Sequence, residues 1–316
     1  MANKPGETAA PAYVPDDVVV GPGAKPLIWN VLAALLDPGD EIVFSDPSYP
    51  AYDAAAAYLG ARAVTFRLRG DAGWRPDLDE LTGAVGPRTK VIVLNSPHNP
   101  TGGILTRDDL AVVAELALRH DLIVISDEIY SRTVYDDACS SIAALPGMRE
   151  RTVLIDGFSK SFAMTGWRLG YCIAPAPIAR AMIAFANNTY QCVATFVQLG
   201  GLAALRGGDA EVVAMVARLK RRRDVVVAGL NAIPGVSCAL PAGAFYAFPN
   251  VAAIEPDDAA LADHLLETAG VAVLGGSQFG PAGRGHLRLS YATATVNLER
   301  ALARMHDALA AYPVAR

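Results

Sequence analysis

From Val18 to about Ala174, apolar runs of four to six residues alternate with amphipathic stretches. That alternation is the signature of a mostly parallel sheet flanked by helices, and it predicts an α/β fold. Strands are expected at Glu41–Phe44, Ala63–Phe66, Val91–Leu94, Leu122–Ser126, Val153–Asp156 and Gly170–Ile173. Leu27, Ile28, Val31, Leu32, Leu35 and Leu36 recur with helical period, and the turn Asp37-Pro38-Gly39 stops that helix. Thr106, with Asp109 three residues on, reads as the cap of a helix running to about His120. The pattern changes after Thr195. A long helical stretch through Val212–Leu230 leads into shorter strands and Gly/Pro turns, and then into a helix from about Val296 to Ala311. A large domain over residues 1–205 and a smaller α+β domain over 206–316 are therefore expected. The chain shows no internal repeat and no low-complexity segment.

The length of 316 residues favours two domains over one, and much of the hydrophobic share of 52% is alanine. No apolar run approaches the ~20 residues that a membrane span needs, so no membrane partner is expected. Residues 1–12 lack an apolar core behind a basic start, so no secretory leader is expected and the cytoplasm follows by default. Cys139, Cys172, Cys192 and Cys238 form no close pair, which argues against a zinc site or a redox dithiol and predicts buried free thiols. A net charge of −5 leaves no basic surplus for nucleic acid, and the run Arg221–Arg223 reads as a solvated helix face.

In sheets of this kind ligands gather at the carboxyl ends of the strands. Four expected strand ends are unusually polar: Ser45-Asp46-Pro47-Ser48-Tyr49, Asn95-Ser96-Pro97-His98-Asn99-Pro100-Thr101-Gly102, Ser126-Asp127-Glu128-Ile129-Tyr130 and Asp156-Gly157-Phe158-Ser159-Lys160. Two acids behind an apolar strand, Asp127-Glu128, could also hold the magnesium of a nucleoside triphosphatase. That reading needs a phosphate loop, and Gly21-Pro22-Gly23-Ala24-Lys25-Pro26 lacks the spacer, the Gly-Lys pair and the following hydroxyl. The same segment still suits an anion: Gly23 permits close backbone approach, Pro26 fits a first helical turn, and free N–H groups there favour a phosphate.

Taken together and in order, these segments resemble the class I/II aminotransferases, which use pyridoxal 5'-phosphate (PLP) on fold type I. The most specific stretch is Ser159-Lys160-Ser161-Phe162-Ala163-Met164-Thr165-Gly166-Trp167-Arg168-Leu169-Gly170. The resemblance implies that Lys160 holds the cofactor as a Schiff base and serves as acid and base, and that Arg168 grips the phosphate with its planar fork. It implies that Asp127 pairs with the pyridine nitrogen, that Tyr130 and Asn99 bond the ring's phenolic oxygen, and that Tyr49 stacks on the ring. The backbone at Ala24 and Lys25 would cradle the phosphate. In His286-Leu287-Arg288-Leu289-Ser290-Tyr291-Ala292, Arg288 would clamp the substrate α-carboxylate, while Gly243-Ala244-Phe245-Tyr246 matches a segment read as structural.

Two positions depart from the family pattern. A serine three residues before the lysine, which often binds the phosphate, is replaced by Gly157, so Ser159 or Ser161 would have to substitute. Only 24 residues precede Lys25, fewer than the family usually has, so part of the small domain and the flap over the substrate are expected to be missing. The expected activity is exchange of an amino group between an L-amino acid and a 2-oxo acid, by a homodimer. A PLP-dependent lyase on the same scaffold, or a shortened PLP-binding protein with little activity, are the alternatives.

Overall fold

The computed structural model describes residues 13–136 and 139–312. The stretch 1–12, on which the expectation about a leader was based, lies outside them.

Eight strands form one sheet: β1 (Val18–Gly21), β2 (Glu41–Asp46), β3 (Arg62–Arg69), β4 (Arg75–Pro76), β5 (Thr89–Asn95), β6 (Ile123–Asp127), β7 (Thr152–Gly157) and β8 (Gly170–Ile173). Their order is β1-β8-β7-β6-β5-β2-β3-β4. The central pairs β3/β2, β2/β5, β5/β6 and β6/β7 are parallel, whereas β8 runs antiparallel to both β7 and β1, and β4 is antiparallel to β3. All six expected strands are present, and five extend by one to three residues at one or both ends. β1 and β4 were not anticipated.

Around this sheet lie α1 (Ala24–Leu35), α2 (Ala51–Tyr58), α3 (Leu78–Ala84), α4 (Arg107–Arg119), the single turn α5 (Phe158–Ser161) and α6 (Ala176–Asn187). Alternate residues of each central strand enter opposite cores, as the pleat requires. Ile42, Phe44, Val91 and Val93 pack with Leu27, Val31 and Met182 of α1 and α6, while Val43, Ile92 and Leu94 pack with Leu110 and Val113 of α4 on the other face. The capping box at Thr106 forms as expected: its hydroxyl accepts from the Asp109 N–H, and the Asp109 carboxylate accepts from the Thr106 N–H.

The chain continues through α7 (Thr195–Gly207) and α8 (Asp209–Asn231) into β9 (Tyr246–Ala247), α9 (Asp258–Ala269), β10 (Leu274–Gly275), β11 (Leu287–Ser290) and α10 (Thr295–Ala310). The three short strands form an antiparallel sheet in the order β10-β11-β9. Leu219, Val226 and Leu230 of α8 share an apolar core there with Leu261 and Leu265 of α9 and Met305 of α10.

The arginine run departs from expectation. Arg221 is exposed, but Arg223 is only 2% exposed. Its guanidinium donates to Asp136 Oδ2 at 2.9 Å and to the Pro241 carbonyl at 3.1 Å, pairs with Asp224, and lies over the Tyr135 ring. A turn of 100° per residue brings the third arginine of the run onto the buried stripe of α8. The cysteines also divide: Cys172 and Cys238 are buried free thiols, Cys139 is half-buried, and Cys192 is exposed because it sits in the loop between α6 and α7.

Candidate active site

The carboxyl ends of β5, β6 and β7, together with the N-terminus of α1, surround a cavity of about 460 Å³. Ala24, Lys25, Tyr49, Asn99, Asp127, Tyr130, Ser159, Lys160, Arg168 and Arg288 all line it. Of the candidate residues named from the sequence, all but Ser161 are thus brought to one place by the topology.

Asp127 is the last residue of β6 and is 3% exposed. Its Oδ2 accepts from the Tyr52 hydroxyl at 2.7 Å, and Oδ1 accepts from the Ile129 N–H at 3.3 Å. Its carbonyl accepts from the Asn95 side-chain amide at 2.9 Å. Burial pushes its pKa up to about 6, against the lowering effect of the Tyr52 and Ile129 hydrogen bonds. A carboxyl group with one charge and a dry setting is suited to hold a cation. Tyr130, three residues on, shares a hydrogen bond of 2.8 Å with the Tyr246 hydroxyl. Burial, reinforced by Tyr246, raises its pKa well above the ordinary value, so it remains a neutral donor.

Lys160 is the third residue of the single-turn helix α5 that follows β7. Burial, then the positive charges of Arg288 and Arg168, lower its pKa, which raises the fraction of free amine available as a nucleophile. Its Nζ lies 5.4 Å from the centre of the Phe245 ring. Arg288, on β11, donates from Nη1 to Asn99 Oδ1 at 3.0 Å, and its guanidinium rests between the rings of Tyr246 and Phe279, 4.6 and 4.7 Å from their centres. This contact holds the planar fork in place, and it leaves the Asn99 Nδ2–H for another acceptor. Tyr49 packs edge-to-face on Tyr52 at 5.7 Å, and Lys25 Nζ lies 5.4 Å from the Tyr49 ring centre.

The turn into α1 is built from two close approaches. Gly23 has φ 102°, and a Cβ there would lie 2.4 Å from Arg168 Nη2; a Cβ on Gly170 would lie 2.6 Å from the Gly23 carbonyl carbon. Only glycine fits at either position. Arg168 itself is left-handed at φ 52° and is oriented by bonds from Nη1 to the Thr165 carbonyl at 3.0 Å and to Ser159 Oγ at 3.4 Å. Of the two serines weighed as substitutes at the phosphate, Ser159 lines the cavity. Ser161 is 1% exposed and faces a separate cavity beside Phe162 and Met164.

Tyr52, Asn95, Thr165 and Tyr246 belong to the site but were not singled out from the sequence as site residues. Tyr246 lies in the stretch read as structural, yet it lines the cavity and contacts both Tyr130 and Arg288. Tyr52 follows Tyr49 by three residues, which on a helix start brings both rings to one side, and this spacing was the available signal.

Comparison with known proteins agrees with this geometry. The family profile "Aminotransferase class I and II" matches residues 6–305. A putative aminotransferase of Bacillus subtilis is 41% identical over 295 residues, covering 93% of this chain and 76% of that protein. An aspartate aminotransferase of Pyrococcus abyssi is 40% identical, covering 93% and 76%. Among solved structures, an aromatic aminotransferase from Pyrococcus horikoshii superposes with a TM-score of 0.90 at 40% identity, covering 93% of this chain and 79% of that one. The aspartate aminotransferase of Rhizobium meliloti gives 0.90 at 35%, covering 95% and 78%. The names differ in substrate and agree in reaction: the chain belongs to the class I and II aminotransferases.

Proposed function

We infer that this aminotransferase works with pyridoxal 5'-phosphate seated in the 460 Å³ cavity, and that Lys160 is its covalent anchor. The observation that carries the reading is the charge arrangement of the lining. Lys25, Lys160, Arg168 and Arg288 converge there with a single carboxylate, Asp127. That donor set fits a phosphorylated pyridinium aldehyde: cations and helix N–H groups for the phosphate, one buried anion for a ring nitrogen, and an amine for the aldehyde.

When bound, the cofactor supplies an aldehyde that condenses with amines and a cationic ring that takes up the electron pair released at the substrate Cα. Arg168, Ser159, Thr165 and the first-turn N–H groups of α1 at Ala24 and Lys25 would hold the phosphate, where the helix dipole favours negative charge. Asp127 would keep the ring nitrogen protonated, an ion pair that offsets the burial now raising its pKa. Tyr130 and the Asn99 Nδ2–H would donate to the phenolic oxygen, and the Tyr49 ring would cover one face. Arg288 would bind the α-carboxylate of an L-amino acid or 2-oxo acid in two-point contact. Lys160, once displaced as a free amine, would take the Cα proton on Nζ and return it on the other side of the reaction.

The division at residues 205/206 into a cofactor-binding part and a smaller part belongs to the same reading, supported by the apolar core that α8, α9 and α10 form among themselves, while Phe248 and Phe279 pack into a core of the large sheet. Homodimer formation is supported by α7, where Phe196, Leu199, Leu202 and Leu205 stand exposed at three-residue intervals. A cytoplasmic setting is supported by four free cysteines, and among the described residues no helix is long and apolar enough to cross a membrane. The test is a single half-reaction: PLP-loaded protein given an amino donor alone should release about one equivalent of oxo acid per subunit and stop. Continued release of oxo acid and ammonia without an acceptor would overturn the transaminase assignment in favour of an eliminating enzyme.

A further inference from the structure

His98 lies between Pro97 and Asn99 and is 4% exposed, yet it touches none of the reacting groups named above. Its ring bridges two strand exits: Nε2 is 3.1 Å from Ser45 Oγ, on the penultimate residue of β2, and Nδ1 is 2.8 Å from Thr101 Oγ1, in the loop after β5. One assignment of donors and acceptors satisfies all the neighbouring bonds at once. Ser45 has one hydroxyl proton, which it donates to the Pro47 carbonyl at 3.0 Å, so toward His98 it can only accept. Nε2 therefore carries the ring proton. Nδ1 is then the lone-pair nitrogen and accepts from the Thr101 hydroxyl, while Thr101 Oγ1 accepts from the Gly103 N–H at 3.2 Å. The result is a directional chain, Gly103 to Thr101 to His98 to Ser45 to Pro47, in which each hydroxyl and each ring nitrogen has one defined role.

The two segments joined by this chain, the end of β2 with its following loop at Pro47 and the loop after β5, carry different parts of the cavity. The first leads directly into Tyr49. The second carries Asn99, whose N–H donates to Asn95 Oδ1 at 2.9 Å, while Asn95 donates onward to the Asp127 carbonyl. Backbone bonds of 2.8 Å from the His98 N–H to Gly103 and from the Gly102 N–H to His98 close the turn around the ring.

We propose that His98 is a positioning residue that, as the Nε2–H tautomer, locks the loop bearing Tyr49 to the loop bearing Asn99 and so sets the spacing between the two residues that flank the cofactor ring. The role assigned to Tyr49 and Asn99 rests on the reading in the preceding subsection; the tautomer does not. Burial also holds the imidazole pKa down near about 3, so the ring stays neutral and the chain keeps its direction at any working pH.

Two measurements test this. In the cofactor-free wild-type protein, histidine ring 15N spectroscopy should show His98 protonated at Nε2 and bare at Nδ1 from pH 5 to pH 8; a bare Nε2 or a titrating ring would overturn the chain. In PLP-loaded protein, His98→Phe keeps an aromatic ring at this position but removes both bonds. It should raise the Kd for PLP and the KM for amino donors by about tenfold each, the order expected for the loss of one to two buried hydrogen bonds. The milder variant Ser45→Ala should show part of the effect, and adding it to His98→Phe should cost less than it does alone, since the Ser45–His98 link is already gone. A folded His98→Phe protein with a lowered Tm but unchanged Kd and KM would mean that the histidine only stabilises the fold, and would defeat the proposal. Failure of the wild-type protein to bind PLP would instead defeat the cofactor reading, leaving the tautomer measurement to decide the hydrogen-bond chain by itself.

Discussion

Replacing Asp127 with asparagine should make the cofactor-free protein more stable at pH 8 while crippling its chemistry. In the fold, burial lifts the Asp127 carboxyl from 3.8 to about 6. Between those two values the folded chain holds a proton that the unfolded chain has already released. Stability from this group is therefore complete below about pH 4 and is lost as pH rises to about 6. At about 1.4 kcal/mol per pH unit the loss amounts to about 3 kcal/mol, an upper figure because the loop can relax around the charge. Asparagine is close in shape and its one oxygen can still accept from the Tyr52 hydroxyl, giving up the longer bond from the Ile129 N–H, but it has no charge to strand in the interior. Urea denaturation of both apoproteins at pH 5 and pH 8 measures the effect. The wild type should lose more stability than the variant over that interval, and at pH 8 Asp127→Asn should be more stable by about 1–3 kcal/mol. Glu128 and Asp156, also raised by burial, contribute to both proteins alike and largely cancel in the difference. With PLP restored, the variant's half-reaction should be slower by at least about a hundredfold, since the ring nitrogen has lost its anion. Identical pH dependence in the two apoproteins, or a variant that is less stable at pH 8, would refute the account of Asp127 as a buried charge awaiting a cation.

Other substitutions probe the remaining contacts. Arg288→Ala should raise the KM for every amino donor alike, by about ten- to a hundredfold, because the lost partner is the carboxylate common to all of them; Arg288→Lys should recover little, since an ammonium cannot reproduce the fork that Asn99 and the two rings hold in plane. A donor-selective effect in steady-state kinetics would place Arg288 against substrate side chains instead. Gly23→Ala must displace the Arg168 guanidinium at a backbone φ of 102°, and fluorescence titration should show PLP affinity falling by about tenfold or more. Arg223→Leu should lower apoprotein stability by about 1–3 kcal/mol in urea denaturation, through loss of bonds to Asp136 and Pro241; no loss would mean that the pair is energetically idle.

How far the sequence discloses this molecule depends on how local each signal is. The central strands are continuous apolar runs because both faces are covered, and they are legible for that reason. β1 is not: Val18–Gly21 is four residues whose strand character comes from pairing with Gly170–Ile173, about 150 residues away. The lysine, the two arginines and Asp127 were legible because each follows a strand or sits in a family motif. Tyr52 and Tyr246 were not, since what makes them site residues is a hydroxyl reaching Asp127 in one case and Tyr130 in the other, contacts set by tertiary packing. Arg223 was misjudged as part of a charge run, although the helical period carried a warning. Leu219, Arg223, Val226, Val227 and Leu230 form one buried stripe, and a charge on such a stripe needs partners.

The central claim is that Lys160 holds the cofactor. Borohydride reduction of the PLP-loaded protein, followed by proteolysis and mass mapping of the pyridoxyl group, addresses it directly. The account predicts a single label on Lys160, within the peptide spanning Ser159 to Arg168, and none on Lys25, the other lysine that lines the cavity. A label on Lys25 or on a lysine outside the cavity, with Lys160 unmodified, would contradict it.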